Sequence, residues 1–82
     1  MKTQIEIFTQ PTCVDCQTAK AYFQQRGIEY VEHNIEDPES FHELHTRVNR
    51  VATPTIFIAD RVFFGFANNR EEIEIALTEM MK

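Results

Sequence analysis

Eighty-two residues leave room for one hydrophobic core, so residues 1–82 are expected to form a single domain. A chain of this size buries only about 60–65% of its unfolded surface, yet two cysteines allow at most one bridge. That bridge would close too small a loop to restrain the unfolded chain, which excludes a disulfide-stapled scaffold. Eight basic against thirteen acidic residues give a net charge of −5, which opposes binding to a nucleic-acid backbone.

The opening MKTQIEIF lacks the apolar run of a signal peptide, and no stretch approaches the roughly 20 apolar residues of a membrane span. A reducing cytoplasm is the expected compartment, and there a close cysteine pair reads as catalytic or metal-binding.

The apolar period changes along the chain as in an alternating α/β protein. Gln4 to Thr9 alternates and reads as the first strand. Residues 13 to 26 read as a helix, with Cys16, Ala19, Phe23 and the stem of Lys20 on one side. Thr12 is the expected N-cap, with Asp15 three residues on as its capping-box partner. Gly27 supplies a left-handed end that folds Ile28 back onto Phe23.

Glu29 to Asn34 reads as the second strand. Asp37 caps a second helix with Pro38 at its first position, ending near Val48 to Arg50. Thr55 to Ala59 is a third strand, Asp60-Arg61 a turn, and Val62 to Phe64 a fourth strand antiparallel to it. Asn68 or Asn69 caps a last helix running to Met81. The order βαβαββα needs a right-handed crossover between parallel first and second strands. A mixed four-stranded sheet with helices on both faces follows.

The only two cysteines, Cys13 and Cys16, lie in FTQPTCVDCQTAK. Residues three apart on a helix have Cβ atoms about 5–6 Å apart, close to disulfide range. Cys13 falls in the first turn, where free amides and the positive dipole end stabilise an anion. An ordinary thiol, with a pKa near 8.5, is only about 3% thiolate at neutral pH; in such a setting the thiolate becomes common. Cys16 sits one turn deeper, so Cys13 is read as the attacking sulfur and Cys16 as the resolving one.

Zinc is the rival, completed by His42 and His45, but Cys-x2-Cys followed 25 residues later by His-x2-His matches no common finger. A solvated helix face is the plainer reading of His42 and His45, and a strand-end polar role that of His33. No metal ligand is assigned.

A strand, a Cys-x-x-Cys and a helix opening a βαβ unit form a thioredoxin-like redox pattern. From residue 4 to about 80 the chain resembles the glutaredoxin family of the thioredoxin fold. The matches are Phe8 to Cys16 with Ala19-Lys20, then Val51-Ala52-Thr53-Pro54-Thr55-Ile56-Phe57, then Gly65-Phe66. The resemblance implies a cis Thr53–Pro54 bond that turns the Thr53 backbone toward Cys13 to receive an extended substrate segment. Thr12, Val14, Thr53, Pro54, Arg50, Phe64 and Gly65 become the expected substrate-binding residues. Arg50 has two readings, a carboxylate-binding cation and a plain helix-end charge.

Several residues depart from typical glutaredoxins. Val14-Asp15 stands in place of Pro-Tyr between the cysteines, Gln10 in place of a lysine, Phe64 in place of the first glycine of a Gly-Gly turn, and Ala67-Asn68 in place of a Thr-Asp or Cys-Asp pair. Val14 and Gly65-Phe66 instead resemble NrdH-type redoxins. Phe63, Phe64 and Phe66 read as core or sheet-edge packing, with Phe64 also standing in the glutathione groove. Asp15, besides its capping role, would raise the Cys13 pKa if its charge faced the sulfur.

The implied activity is that of a monomeric thiol–disulfide oxidoreductase acting on protein or glutathione-mixed disulfides. It needs no tightly bound cofactor and takes electrons from glutathione or thioredoxin reductase. The alternatives are a redox-sensing module and a carrier of an iron–sulfur cluster held by Cys13 and glutathione.

Overall fold

Alternation along the first strand decides which side of the sheet each residue serves. The computed structural model describes residues 4–80. In it β1 (Ile5–Thr9) sends Ile5 and Ile7 to one side and Phe8 to the other. The remaining elements are α1 (Val14–Gln25), β2 (Val31–Asn34), α2 (Pro38–Val48), β3 (Thr55–Ile58), β4 (Arg61–Phe64), a 3-10 turn (Ala67–Asn69) and α3 (Arg70–Met80). The sheet order is β2-β1-β3-β4, with β1 parallel to β2 and antiparallel to β3, and β3 antiparallel to β4. This is the mixed four-stranded thioredoxin-like arrangement expected from the pattern.

Ile5, Ile7, Ile56 and Ile58 meet Ala19, Tyr22 and Phe23 of α1 and Ile73, Ala76 and Leu77 of α3 in the larger core. Phe8 and Phe57 face the opposite way, onto Leu44 of α2. Helices therefore cover both faces, which satisfies the near-continuous apolar runs of β1 and β3.

Local chemistry sets the helix ends. Gly27 has φ of 65°; its N–H donates to the Gln24 carbonyl at 3.1 Å and that of Ile28 to the Phe23 carbonyl at 2.9 Å. This is the Schellman pattern, in which a residue without Cβ takes the left-handed position. Asp37 caps α2 by accepting from Glu39 N, and Pro38 opens the helix where no N–H is needed.

Three boundaries differ from expectation. β2 begins at Val31 rather than Glu29, because the register with β1 starts at Glu6 opposite Val31. The hairpin turns at Ala59-Asp60, since Arg61 already pairs with Ile58. Ala59 takes φ of 55°, which a two-residue hairpin asks of its first turn residue. Neither Asn68 nor Asn69 caps α3 by accepting a bond; both lie in the 3-10 turn, and Asn69 Nδ2 donates back to the carbonyls of Phe64 (2.8 Å) and Gly65 (3.0 Å). The last helix reaches Met80, and the expected end at Met81 lies outside the described residues.

The smaller core is sealed by ionic contacts. Arg47 grips both carboxylate oxygens of Glu6 at 3.1 and 3.2 Å, touches Glu43 at 3.1 Å, and stacks over Phe57 at 3.9 Å. His33 Nε2 lies 3.0 Å from Glu6 Oε1. The Arg47 bond, opposed by partial burial and helped by His33, holds the Glu6 carboxyl below its ordinary value of 4.5. A depressed folded-state pKa gives stability that is present above the unfolded value and lost as pH falls through the folded one. Glu6→Gln is therefore expected to flatten the fall of Tm with pH below about 4.5, while parallel curves for the two chains would contradict the assignment.

Candidate active site

The approach to the cysteines begins with a turn. Cys13 N donates to the Gln10 carbonyl at 3.1 Å, with Pro11 at the second position, where its fixed φ suits the turn. Cys13 leaves that turn extended (φ −90°, ψ 108°), and Val14 is the first helical residue. Its Sγ accepts the N–H of Cys16 at 3.0 Å. The N-cap is thus Cys13 itself, and Thr12, expected there, is held exposed inside the turn. The sulfur lies against the amides of the first turn, where a negative charge is favoured.

Cys13 and Cys16 are joined as a disulfide, with Cα atoms 5.2 Å apart. The two sulfurs are unequally exposed: Cys13 is half-buried, whereas Cys16 is 0% exposed. Val14 between them is 79% exposed, an apolar side chain left on the surface beside the sulfur.

Moving the cap by one residue makes Asp15 the second helical position, and the capping box expected of it does not form. Its carboxylate instead accepts from Phe66 N at 2.8 Å and Ala67 N at 3.2 Å, a contact spanning 51 and 52 positions. The helix that carries the cysteines is thereby tied to the segment after β4.

That segment meets the proline loop. The Thr53–Pro54 bond is cis, as the resemblance implied. Thr55 Oγ1 donates to the Ala52 carbonyl at 2.6 Å, and Gly65 N donates to the Pro54 carbonyl at 2.8 Å. Gly65 has φ of 94°, a conformation L side chains rarely adopt. Phe64 pairs with Thr55 across the hairpin and carries the Arg50 guanidinium over its ring at 4.3 Å. Arg50 makes no ion pair among the described residues. The expected binding residues thus fall into two groups: Thr12 and Val14 with the cysteines, and Arg50, Thr53, Pro54, Phe64 and Gly65 along the loop. Asp15, through the adjoining Phe66 and Ala67 amides, links one to the other.

The aromatic residues divide as well. Phe66 is 1% exposed and belongs to the larger core, whereas Phe63 and Phe64 are half-buried.

A second network flanks the motif. Glu32 Oε2 accepts from the Thr9 hydroxyl at 2.7 Å and from Lys20 Nζ at 3.0 Å. Burial pushes the Glu32 pKa up, but those two bonds and the Lys20 charge outweigh it and hold it below its ordinary value. Sequence inspection missed this trio and the roles of the Gln10 carbonyl and Asn69. The Glu32 contacts to Thr9 and Lys20, at separations of 23 and 12, left no local pattern to find. His42 and His45 are exposed on α2, across the sheet from α1, and His33 stacks on Phe8 at 4.6 Å.

The glutaredoxin family model matches residues 5–63. The chain belongs to the glutaredoxin family. It is 30% identical over 71 residues to an uncharacterized glutaredoxin-like 8.6 kDa protein in the rubredoxin operon of Clostridium pasteurianum, covering 85% of this chain and 92% of that one. Among solved structures it is similar to the thioredoxin-like protein BC3987, with a TM-score of 0.78, 27% identity, and 88% and 97% of the two chains covered. It shares its fold with the NrdH-redoxin of Escherichia coli, with a TM-score of 0.69, 24% identity, and 84% and 91% covered.

This glutaredoxin-family redox protein has a Cys-x-x-Cys pair, Cys13 and Cys16. Among the described residues no three His, Cys, Asp or Glu side chains converge. No helix among the described residues is long and apolar enough to cross a membrane.

Proposed function

We propose that the chain is a cytoplasmic, monomeric dithiol reductase of protein disulfides. The observation that carries this reading is the asymmetry of the pair: a half-buried Cys13 sulfur capping α1, and a Cys16 sulfur sealed beneath it. In the reduced protein the first-turn amides favour the Cys13 thiolate. It attacks one sulfur of the substrate disulfide, giving a mixed disulfide and releasing one thiol. Cys16 then attacks the Cys13 sulfur, releases the second thiol and leaves the internal bridge. Two electrons have passed from dithiol to substrate, and glutathione or thioredoxin reductase returns them. Thr53 and Pro54 offer backbone to an extended segment of the substrate, with Val14 and Phe64 as apolar contacts beside it.

The test is NADPH oxidation coupled to reduction of hydroxyethyl disulfide, run in two arms. One arm supplies glutathione and its reductase, the other thioredoxin reductase. Turnover in at least one arm is expected, and the faster arm names the electron donor. Activity in neither arm would sink the enzymatic reading and favour a redox sensor.

A further inference from the structure

The chain has three histidines, and one of them is engaged: His33 Nε2 lies 3.0 Å from Glu6 Oε1. His42 and His45 are both exposed on α2. Among the described residues neither imidazole has a side-chain hydrogen bond or an ion pair. They stand three residues apart on the helix, and Phe41, four before His45, shares their side. Phe41 is 44% exposed, an aromatic ring left on the surface beside two unpartnered ligands. This group is separate from the cysteines, because α2 covers one face of the sheet and α1 the other.

Side chains at this helical spacing have Cβ atoms about 5–6 Å apart. Two imidazoles inclined toward each other from there bring nitrogens to about 3.4 Å, the edge of a tetrahedron with zinc–nitrogen bonds of about 2.0–2.1 Å. Glu-x-x-His pairs of the same spacing hold metal ions in helix-bundle cores. Zinc in a structural site takes four ligands. Among the described residues no third His, Cys, Asp or Glu side chain joins His42 and His45, so one chain supplies half a site.

We propose that His42 and His45 form a half-site for zinc, completed by the same two residues of a second copy, so that the metal links two chains through their α2 helices. The contact is isologous, with the two helices crossing at a two-fold axis through the ion. Each chain carries a net charge of −5, so two copies repel in the absence of metal. One exposed ring per copy falls far short of the apolar area of a stable interface. The doubly charged ion is therefore what joins them, and Phe41 adds apolar contact only once it is bound.

Sedimentation velocity on the full chain at neutral pH tests this. The protein is kept in its disulfide form, so that no thiolate competes for metal, and is stripped with EDTA before zinc chloride is added. Monomer is expected to convert to dimer with an end point at half an equivalent of zinc per chain, and EDTA should reverse it. Magnesium, which prefers oxygen ligands, should leave the monomer unchanged. His42→Ala and His45→Ala should each raise the zinc required by more than about tenfold, since even a residue that only orients a metal ligand is worth about 10–100-fold in affinity. Both side chains are exposed, and far-UV circular dichroism checks that the variants fold. A natural chain that stays monomeric throughout the zinc titration overturns the proposal, as does one that binds a zinc per chain without dimerising. A chain already dimeric after EDTA overturns it too. So does a double variant, His42→Ala with His45→Ala, that dimerises at the same zinc concentration as the natural chain, because the acidic surface would then be the bridge.

Discussion

Cys16→Ser protein, reduced and mixed with a disulfide substrate, is expected to stop as a covalent mixed disulfide at Cys13. Intact mass should show one adduct per chain, and catalysis of protein-disulfide reduction should fall to the uncatalysed background. The reason is positional. Exchange requires a thiolate to reach a sulfur and a second thiolate to release the product. Cys13 is the reachable sulfur, half-buried at the cap with its Sγ against the Cys16 amide at 3.0 Å. Cys16 has no exposed surface and is placed to act only on Cys13. Serine keeps the size and hydrogen bonding of the buried position but cannot resolve the adduct. Cys13→Ser should instead give no adduct, since the remaining thiol lacks both access and the first-turn amides. Adducts forming at Cys16 as fast as at Cys13 would overturn this division of roles. Iodoacetamide labelling of the two single variants across pH would show it independently, the Cys13 thiol reacting at lower pH than the Cys16 thiol.

Much of this site was legible because its parts are local. The change from period two to period 3.6 places β1 and α1 on either side of the Gln10–Cys13 turn. Asp37-Pro38 and Gly27 mark ends by rules that act within four or five residues. The cap of α1 was misplaced by one residue because threonine is the better cap by type. The turn anchored on the Gln10 carbonyl ends at Cys13, and the sulfur then serves as acceptor. That shift moved Asp15 out of the capping-box position and freed it for a partner 51 positions away. No periodicity encodes such a contact, which exists only once β4 lies beside β3. The hairpin itself was legible, but its turn lies one residue earlier than expected: alanine at φ of 55° is uncommon, so Asp60-Arg61 reads as the better turn. The cis Thr53–Pro54 bond followed from family resemblance, since the rarity of cis X-Pro bonds argues against it.

Phe66→Ala is expected to cost about 3–5 kcal/mol of stability, a large share of the roughly 5–15 kcal/mol available to a domain. Phe66 is 1% exposed, packs its ring 5.1 Å from that of Tyr22, and belongs to the core shared by α1, α3 and the inner strands. Removing a ring there leaves a cavity that the sheet cannot collapse to fill. Val14→Ala, on a side chain 79% exposed, should shift stability by no more than about 0.5 kcal/mol. Denaturant unfolding of the two variants makes the comparison, and a Phe66→Ala loss no larger than that of Val14→Ala would refute the packing argument. Phe66→Leu, which keeps much of the volume, should lose clearly less than alanine. The same residue joins core to site, because its backbone N–H donates to Asp15. Its side chain is the anchor and its amide is part of the latch, so loosening one should weaken the other. Asp15→Ala and Phe66→Ala are therefore expected to be non-additive in a double-mutant cycle, with a coupling of at least about 0.5 kcal/mol. Strict additivity would mean that the loop holds its shape without the ring, and that the Asp15 contact is independent of the core beneath it.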